Sequence, residues 1–409
     1  MNPLYVGIDV SSRNNVVYLM KPDGSKIKNF SVSNSRDGSK KLVKEILAAL
    51  AAFSLTDVLI GLEATSVYGE NLVYFLREDI SLVPFNQKIH VLNPKQVNKF
   101  KESYNDLPKN DYVDSFIIAD CLRFGRINKE VYLEDYRYKA LQSLTRARFV
   151  AVQNLTREKQ RFMNVLFRKY SSLSQEKVFT NTFGASALAV YENFDSADAL
   201  AYIDLQELTS FLKEKGKNHF SDPEKVALAI QKAARSSYRL PKTINDSVNQ
   251  VLSISISSMK ALESQIKDFD KAIAAQMQLI PNTLTSIKGI GPVYSAGIIA
   301  EIGDINRFAN QAKLAKFAGL VWKQHQSGDF ESQNTRLIRT GNRFLKYYLG
   351  EAAMSLVRCD TEYRRFYHLK YNEVNKYQHK RALALTARKF VRLVFRLLKD
   401  NRLYIAPQA

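Results

Sequence analysis

Leu4-Tyr5-Val6-Gly7-Ile8-Asp9-Val10 is the stretch on which the fold turns. It reads as a buried strand, apolar almost throughout. A carboxylate near the end of such a strand is costly unless something cationic meets it. Working outward, Val58-Leu59-Ile60-Gly61-Leu62 is a second buried run, and it ends in Glu63. Asp111-Tyr112-Val113-Asp114 sets two further acids one helical turn apart. In a chain of net charge +20, carboxylates gathered at the tips of hydrophobic elements point to a divalent metal.

Strands and helices alternate between these landmarks. Strands are expected at Val6–Val10, Asn15–Met20, Ile27–Val32, Val58–Glu63 and His90–Leu92, with Asn93-Pro94 breaking the last. Helices are expected at Gly38–Ala52, Tyr68–Leu76 and Asp111–Phe124. The order β-β-β-α-β-α-β-α is that of the ribonuclease H-like fold. There the acids sit on the first strand, at the end of the fourth and on the last helix, where Asp9, Glu63 and the Asp111/Asp114 pair stand. Element order and carboxylate position agree, which is stronger than either alone. Singly, each acid is an ordinary cap or surface group, and Asp111 is a natural helix N-cap. Asp120, nine residues beyond Asp111, is turned away on the helical wheel.

Acids brought into one site repel each other, by about 4 kcal/mol for a pair near 4 Å at an effective dielectric of 20. Mg²⁺ removes that penalty and prefers oxygen ligands. Two such ions can clamp the attacking and leaving oxygens of a phosphodiester.

A length of 409 residues allows two or three domains with real cores. No apolar run approaches the roughly 20 residues of a membrane span, and the start of the chain enters a strand without a leader. Cys121 and Cys359 exclude a disulfide framework and a cysteine-rich zinc site. A cytoplasmic protein is expected. The positive charge implies a polyanion. Because the charge is spread over a globular pattern interleaved with Tyr and Phe, nucleic acid fits better than a membrane surface.

The rest of the chain reads as mainly helical. Leu141–Tyr170 carries Leu144, Val152, Leu155, Phe162 and Leu166 on one side. Arg146, Arg148, Arg157, Lys159, Arg161, Arg168 and Lys169 fill the remainder, a run with few neighbouring acids that suggests nucleic-acid contact over a solvated face. Met259, Leu262, Ile266, Phe269 and Ile273 form a short heptad seam, which would pair helices between protomers or within one chain. Residues 171–240 read as loop and short helix. Ile287-Lys288-Gly289-Ile290-Gly291-Pro292 precedes an apolar helix, Tyr294–Glu301, and resembles a helix-hairpin-helix element, whose glycines admit a phosphate to backbone N–H groups. A plain αα-turn is the alternative. Residues 336–402 return to basic helix.

Several of these motifs carry a family resemblance. Gly7-Ile8-Asp9-Val10-Ser11, Leu62-Glu63-Ala64-Thr65-Ser66-Val67-Tyr68, Asn93-Pro94-Lys95-Gln96 and Lys109-Asn110-Asp111-Tyr112-Val113-Asp114-Ser115 resemble the RuvC-like Asp-Glu-Asp-Asp domain of an insertion-sequence transposase family whose elements encode a bridge RNA. The segment Leu284 to about Leu356 resembles that family's C-terminal transposase domain, through Glu301-Ile302-Gly303-Asp304-Ile305, Phe317-Ala318-Gly319-Leu320, Ser327-Gly328 and Arg339-Thr340-Gly341-Asn342-Arg343. Departures at Ser66, Asn110 and Ser115 are small or polar exchanges beside the acids. The resemblance covers roughly 1–130 and 280–400 and implies a RuvC-like catalytic domain over 1–128 and a mainly helical transposase domain over 281–409, while the region between, 129–280, reads from its own pattern as helical and partly coiled coil. It implies Asp9, Glu63, Asp111 and Asp114 as Mg²⁺ ligands, and Ser327 as the nucleophile toward DNA, with Ser332 as fallback if the loop register shifts. Donor and target DNA, a bridge RNA and a homo-oligomer, dimer or tetramer, are the implied partners. Two other readings stay open. One is a junction-resolving endonuclease without a serine step, and the other is a non-catalytic nucleic-acid-binding protein.

Overall fold

The structure, a computed structural model, describes residues 2–64, 67–104, 107–108, 110–125, 136–176, 178–217, 220–323, 326–327, 330–331 and 336–406, with backbone alone at 326–327 and 330–331. The chain divides into two compact units, Met1–Leu133 and Glu134–Ala409.

The first unit is built on strands β1 (Pro3–Val10), β2 (Asn14–Met20), β3 (Lys26–Ser33), β4 (Asp57–Glu63) and β5 (Lys88–Leu92). Their order in the sheet is β3-β2-β1-β4-β5. β1–β3 pair antiparallel, and β4 and β5 run parallel to β1. That mixed order is the ribonuclease H-like topology. Helices α1 (Arg36–Ala52), α2 (Glu70–Glu78), α3 (Pro94–Lys101) and α4 (Asp111–Arg123) complete it. The central strands are buried on both faces, so they read as near-continuous apolar runs.

The strand period of two sorts the faces. Leu4, Val6, Ile8 and Val10 of β1, with Val58, Ile60 and Leu62 of β4, form one core with Leu42, Ile46 and Leu50 of α1 and Leu72 and Leu76 of α2. The opposite face holds Gly7, Asp9, Gly61 and Glu63. Gly7 and Gly61 are register partners, and α4 lies directly on them. A Cβ at Gly7 would stand 2.0 Å from the Ser115 carbonyl oxygen, and one at Gly61 2.9 Å from a Leu122 methyl. Each glycine precedes its acid by two positions, so the groove that seats α4 leads straight to Asp9 and Glu63.

In the second unit the long helices α5 (Tyr136–Lys169) and α11 (Lys242–Met277) pack along each other. Between them in sequence lie α6 (Ser171–Gln175), α7 (Ala185–Asn193), α8 (Ala197–Tyr202), α9 (Leu205–Lys215) and α10 (Pro223–Arg235). These short helices share a core with Phe162 and Leu166 of α5 and Leu252, Ile256 and Met259 of α11. The stretch expected as loop and short helix is thus a packed helical module. The heptad seam of α11 is met by α5 of the same chain, with Arg148–Asp270 and Lys159–Glu263 ion pairs alongside. A second core gathers α12 (Pro292–Ile302), α13 (Gln311–Phe317), α14 (Arg343–Cys359), α15 (Thr361–Asn372) and α16 (Gln378–Asp400) around Leu141, Ile273 and Met277.

The Gly-Ile-Gly turn enters α12 as expected, with Gly291 at its N-cap and Pro292 in its first turn. A 3₁₀ turn, Leu284–Ser286, stands where the first helix of a hairpin would. Gly289 has φ 91° and its carbonyl accepts a hydrogen bond from Ser355. Among the described residues no helix is long and apolar enough to cross a membrane.

Candidate active site

Asp9 stands one residue from the end of β1, and Glu63 is the last residue of the neighbouring β4. The β1–β4 register runs to Ile8↔Leu62, so the two acids follow at adjacent positions on one face. The α4 helix delivers the remaining pair. Asn110 is its N-cap, accepting from the Val113 N–H at 2.9 Å, which leaves Asp111 as a first-turn residue rather than the cap. Asp111 and Asp114 therefore lie at the positive end of the helix dipole, which offsets part of their mutual repulsion.

The charges feel one another. Burial, then the charges of Asp114 and Asp111, push the Asp9 carboxyl up from 3.8 to about 6 against the opposing effects of Lys101 and a backbone N–H. Glu63 is raised by burial, then by Asp9 and Asp114, with Lys101 again opposing. The structure thus brings the four predicted acids into one electrostatic cluster. Among the described residues no three Asp, Glu, His or Cys side chains stand close enough to hold one ion as they lie. The donors themselves, all carboxylate oxygens, suit a hard cation such as Mg²⁺.

Lys101 is the group that the sequence did not single out. It ends α3, which starts at Pro94 behind an Asn93 N-cap, directly after β5. Its Nζ lies 2.6 Å from Asp114 Oδ1. The proline that ends the strand also opens this helix. Asp120 is used elsewhere: it is buried, pairs with Arg123 at 2.7 Å and accepts from the Tyr104 hydroxyl.

Ser327 lies on a two-stranded arm of the second unit. β6 (Gln326–Ser327) pairs antiparallel with β7 (Phe330–Glu331). Closer to the core, Trp322 bridges Leu337, Lys323 N–H donates to the Arg336 carbonyl and Ile338 N–H to that of Val321. The base is a glycine waist. Gly319 (φ 70°) and Gly341 (φ 122°) touch backbone to backbone, and a Cβ on Gly341 would sit 2.6 Å from the Gly319 nitrogen. Asn342 then caps α14 and donates to Glu301 at 2.6 Å. Glu301 is fully buried and takes a bidentate pair from Arg146 at 2.7 and 2.9 Å. The Ser327 side chain, His325 and Ser332 lie outside the described residues.

The basic run of α5 is corrected by the structure. Arg146, Arg148 and Lys159 pair with Glu301, Asp270 and Glu263, and buried Lys169 donates to the Tyr191 carbonyl. Their acids come from α11 and α12, more than a hundred residues away, so a local count of charge could not find them. Arg157, Arg161 and Arg168 remain exposed.

A ribonuclease H-like sheet with acids at one end, joined to a helical second unit, has its counterpart in the transposases. A family model described as a transposase, of the DEDD type, matches residues 6–170, and one described as "Transposase IS116/IS110/IS902 family" matches 282–368. The chain belongs to this insertion-sequence transposase family. The 44.8 kDa protein of insertion element IS116 from Streptomyces clavuligerus is 25% identical over 332 residues, covering 79% of each chain. The mini-circle transposase assigned to IS117 of Streptomyces coelicolor is 23% identical over 352 residues, 83% of this chain and 82% of its own. A solved T. thermophilus RuvC with a Holliday junction substrate aligns over 32% of this chain and 98% of its own at 12% identity and a TM-score of 0.23. The fold assignment accordingly rests on the sheet topology. Nuclease folds of the DEDD type are generally metal-dependent.

Proposed function

We propose that this transposase is a site-specific DNA recombinase that cuts and rejoins DNA through Asp9, Glu63, Asp111, Asp114 and Ser327. The observation that carries the reading is geometric: Asp9 and Glu63 stand at the ends of neighbouring strands on the face that α4 covers, and Asp111 and Asp114 stand in the first turn of that helix. Magnesium, when bound, would neutralise that charge and polarise a phosphodiester. Asp9 and Glu63 would hold it from the sheet, and Asp111 and Asp114 from the helix.

Ser327 would supply the nucleophile. As its Oγ–P bond forms, the hydroxyl proton leaves and one strand oxygen departs, giving a transient phosphoserine link that the incoming strand end later displaces. Donor and target DNA are the substrates, a bridge RNA the guide, and a dimer or tetramer the assembly that supplies two or more cleavage centres. The three-part division at about 128 and 280 belongs to the same proposal.

The test mixes purified protein, the transcript of its flanking DNA, labelled donor and target DNA, and Mg²⁺, and looks for a protein–DNA adduct. Both Asp9→Ala and Ser327→Ala should abolish adduct and recombinant product. Cleavage that survives Ser327→Ala would make the protein a resolving nuclease instead, and activity indifferent to Asp9→Ala would remove the enzymatic reading.

A further inference from the structure

The acid cluster already contains a cation. Lys101 Nζ sits 2.6 Å from Asp114 Oδ1, with the lysine side chain 24% exposed and the aspartate 38%. Its charge also reaches Asp9 and Glu63, opposing the effect of burial on each. One ammonium thus serves at least three of the four acids. Among the described residues no three ligand-type side chains come within reach of a common ion, and the acid that Lys101 holds is one of those meant to converge.

A positive charge beside the site disfavours entry of a second one. Asp114 cannot keep its short contact with an ammonium and also give that oxygen to a metal.

From this we propose that Lys101 is a positioning residue that stands in for the metal. It holds Asp114 in the cation-free protein and must release it before a divalent ion is bound. The inference rests on the reading of Asp9, Glu63, Asp111 and Asp114 as the metal ligands. Its consequence is a metal affinity set below what the four carboxylates would give alone. The released ammonium stays at the site on the end of α3, where a DNA phosphate can take over as its counter-ion.

The experiment measures Mn²⁺ binding to the full chain without nucleic acid, by the loss of the free-ion EPR signal. Wild type, Asp9→Asn, Lys101→Met and Lys101→Arg are compared, with Lys101→Gln added in case the methionine variant does not fold. Removing the charge should tighten Mn²⁺ binding by roughly three- to tenfold, the range expected for losing one partly exposed ion pair and its repulsion. Lys101→Arg should bind no more tightly than wild type. The cation-free Lys101→Met protein should melt below wild type, and saturating Mn²⁺ should close the gap. If Asp9→Asn leaves Mn²⁺ binding intact, the ligand assignment is wrong. If Asp9→Asn abolishes binding while Lys101→Met and Lys101→Gln bind as wild type or more weakly, the ligand assignment stands and the stand-in role of Lys101 is overturned.

Discussion

Replacing Gly7 with alanine tests how the acids are brought together. The new Cβ would stand 2.0 Å from the Ser115 carbonyl oxygen and 2.5 Å from the Ala119 nitrogen, whereas ordinary contact begins near 3.4 Å. Both obstacles are backbone of α4, so no rotamer change relieves them. The helix must retreat by about 1.4 Å, the difference between 3.4 and 2.0 Å. Overpacking of this kind costs about 1–3 kcal/mol, or a fall in Tm of roughly 4–12 °C at about 4 °C per kcal/mol for a domain of this size. The retreat also carries Asp111 and Asp114 away from Asp9 and Glu63, so Mn²⁺ affinity should fall with Tm. Differential scanning calorimetry and Mn²⁺ titration on the same sample read both. Gly350→Ala is the matched control. Its Cβ meets nothing within 4 Å, and in the interior of α14 it should raise stability by about 0.4–1 kcal/mol. A Gly7→Ala protein with wild-type Tm and wild-type Mn²⁺ affinity would refute the claim that direct seating of α4 on β1 assembles the acids.

Three further outcomes are expected. Asp9 has a folded-state pKa of about 6 against 3.8 in the unfolded chain, so the native state holds the extra proton between those values. Stability from this group is therefore lost as pH rises from about 4 to 6. Asp9→Asn should be the more stable protein above pH 6 in EDTA and no different near pH 3.5. The shift corresponds to about 3 kcal/mol undamped, and screening at this partly exposed site reduces it to about 1 kcal/mol; urea melts at the two pH values measure it, and a difference of the opposite sign would be decisive against it. Arg146→Met leaves the fully buried Glu301 carboxylate with Asn342 as its remaining named side-chain partner. It should cost about 2–4 kcal/mol in chemical denaturation, and a loss below about 0.5 kcal/mol would show the pair to be ornamental. Gly341→Ala combines a left-handed φ of 122° with a 2.6 Å backbone clash at the waist. Adduct formation through Ser327 should disappear while Mn²⁺ affinity stays at the wild-type value; a fall in both would place the damage beyond the arm.

The first unit was legible because each of its signals is local. Near-continuous apolar runs, the Asn93-Pro94 break and the helical stretch that opens at Asp111 mark the strands and α4 without reference to the rest of the chain. The acids announced themselves by standing where an apolar strand should continue. The glycines two positions before Asp9 and Glu63 were equally visible, but their use appears only once β1 and β4 are in register. Lys101 was hidden because α3 is short, rich in Lys and buries only Val97, which leaves almost no helical periodicity to read. The module over α6–α10 escaped for a related reason: its helices run from 5 to 13 residues, too few turns to establish a period. The partners of Arg146, Arg148 and Lys159 were hidden because their carboxylates arrive through tertiary contacts. For Ser327, neither spacing nor composition separates it from any other loop serine, and the family resemblance alone singled it out.

The glycine waist lets the arm vary independently of the core. Residues 321–323 and 336–338 pair with each other beside the Gly319–Gly341 contact, so residues added beyond them need not disturb α13 or α14. Viable relatives should therefore differ in the length of this arm while α13 and α14 keep theirs.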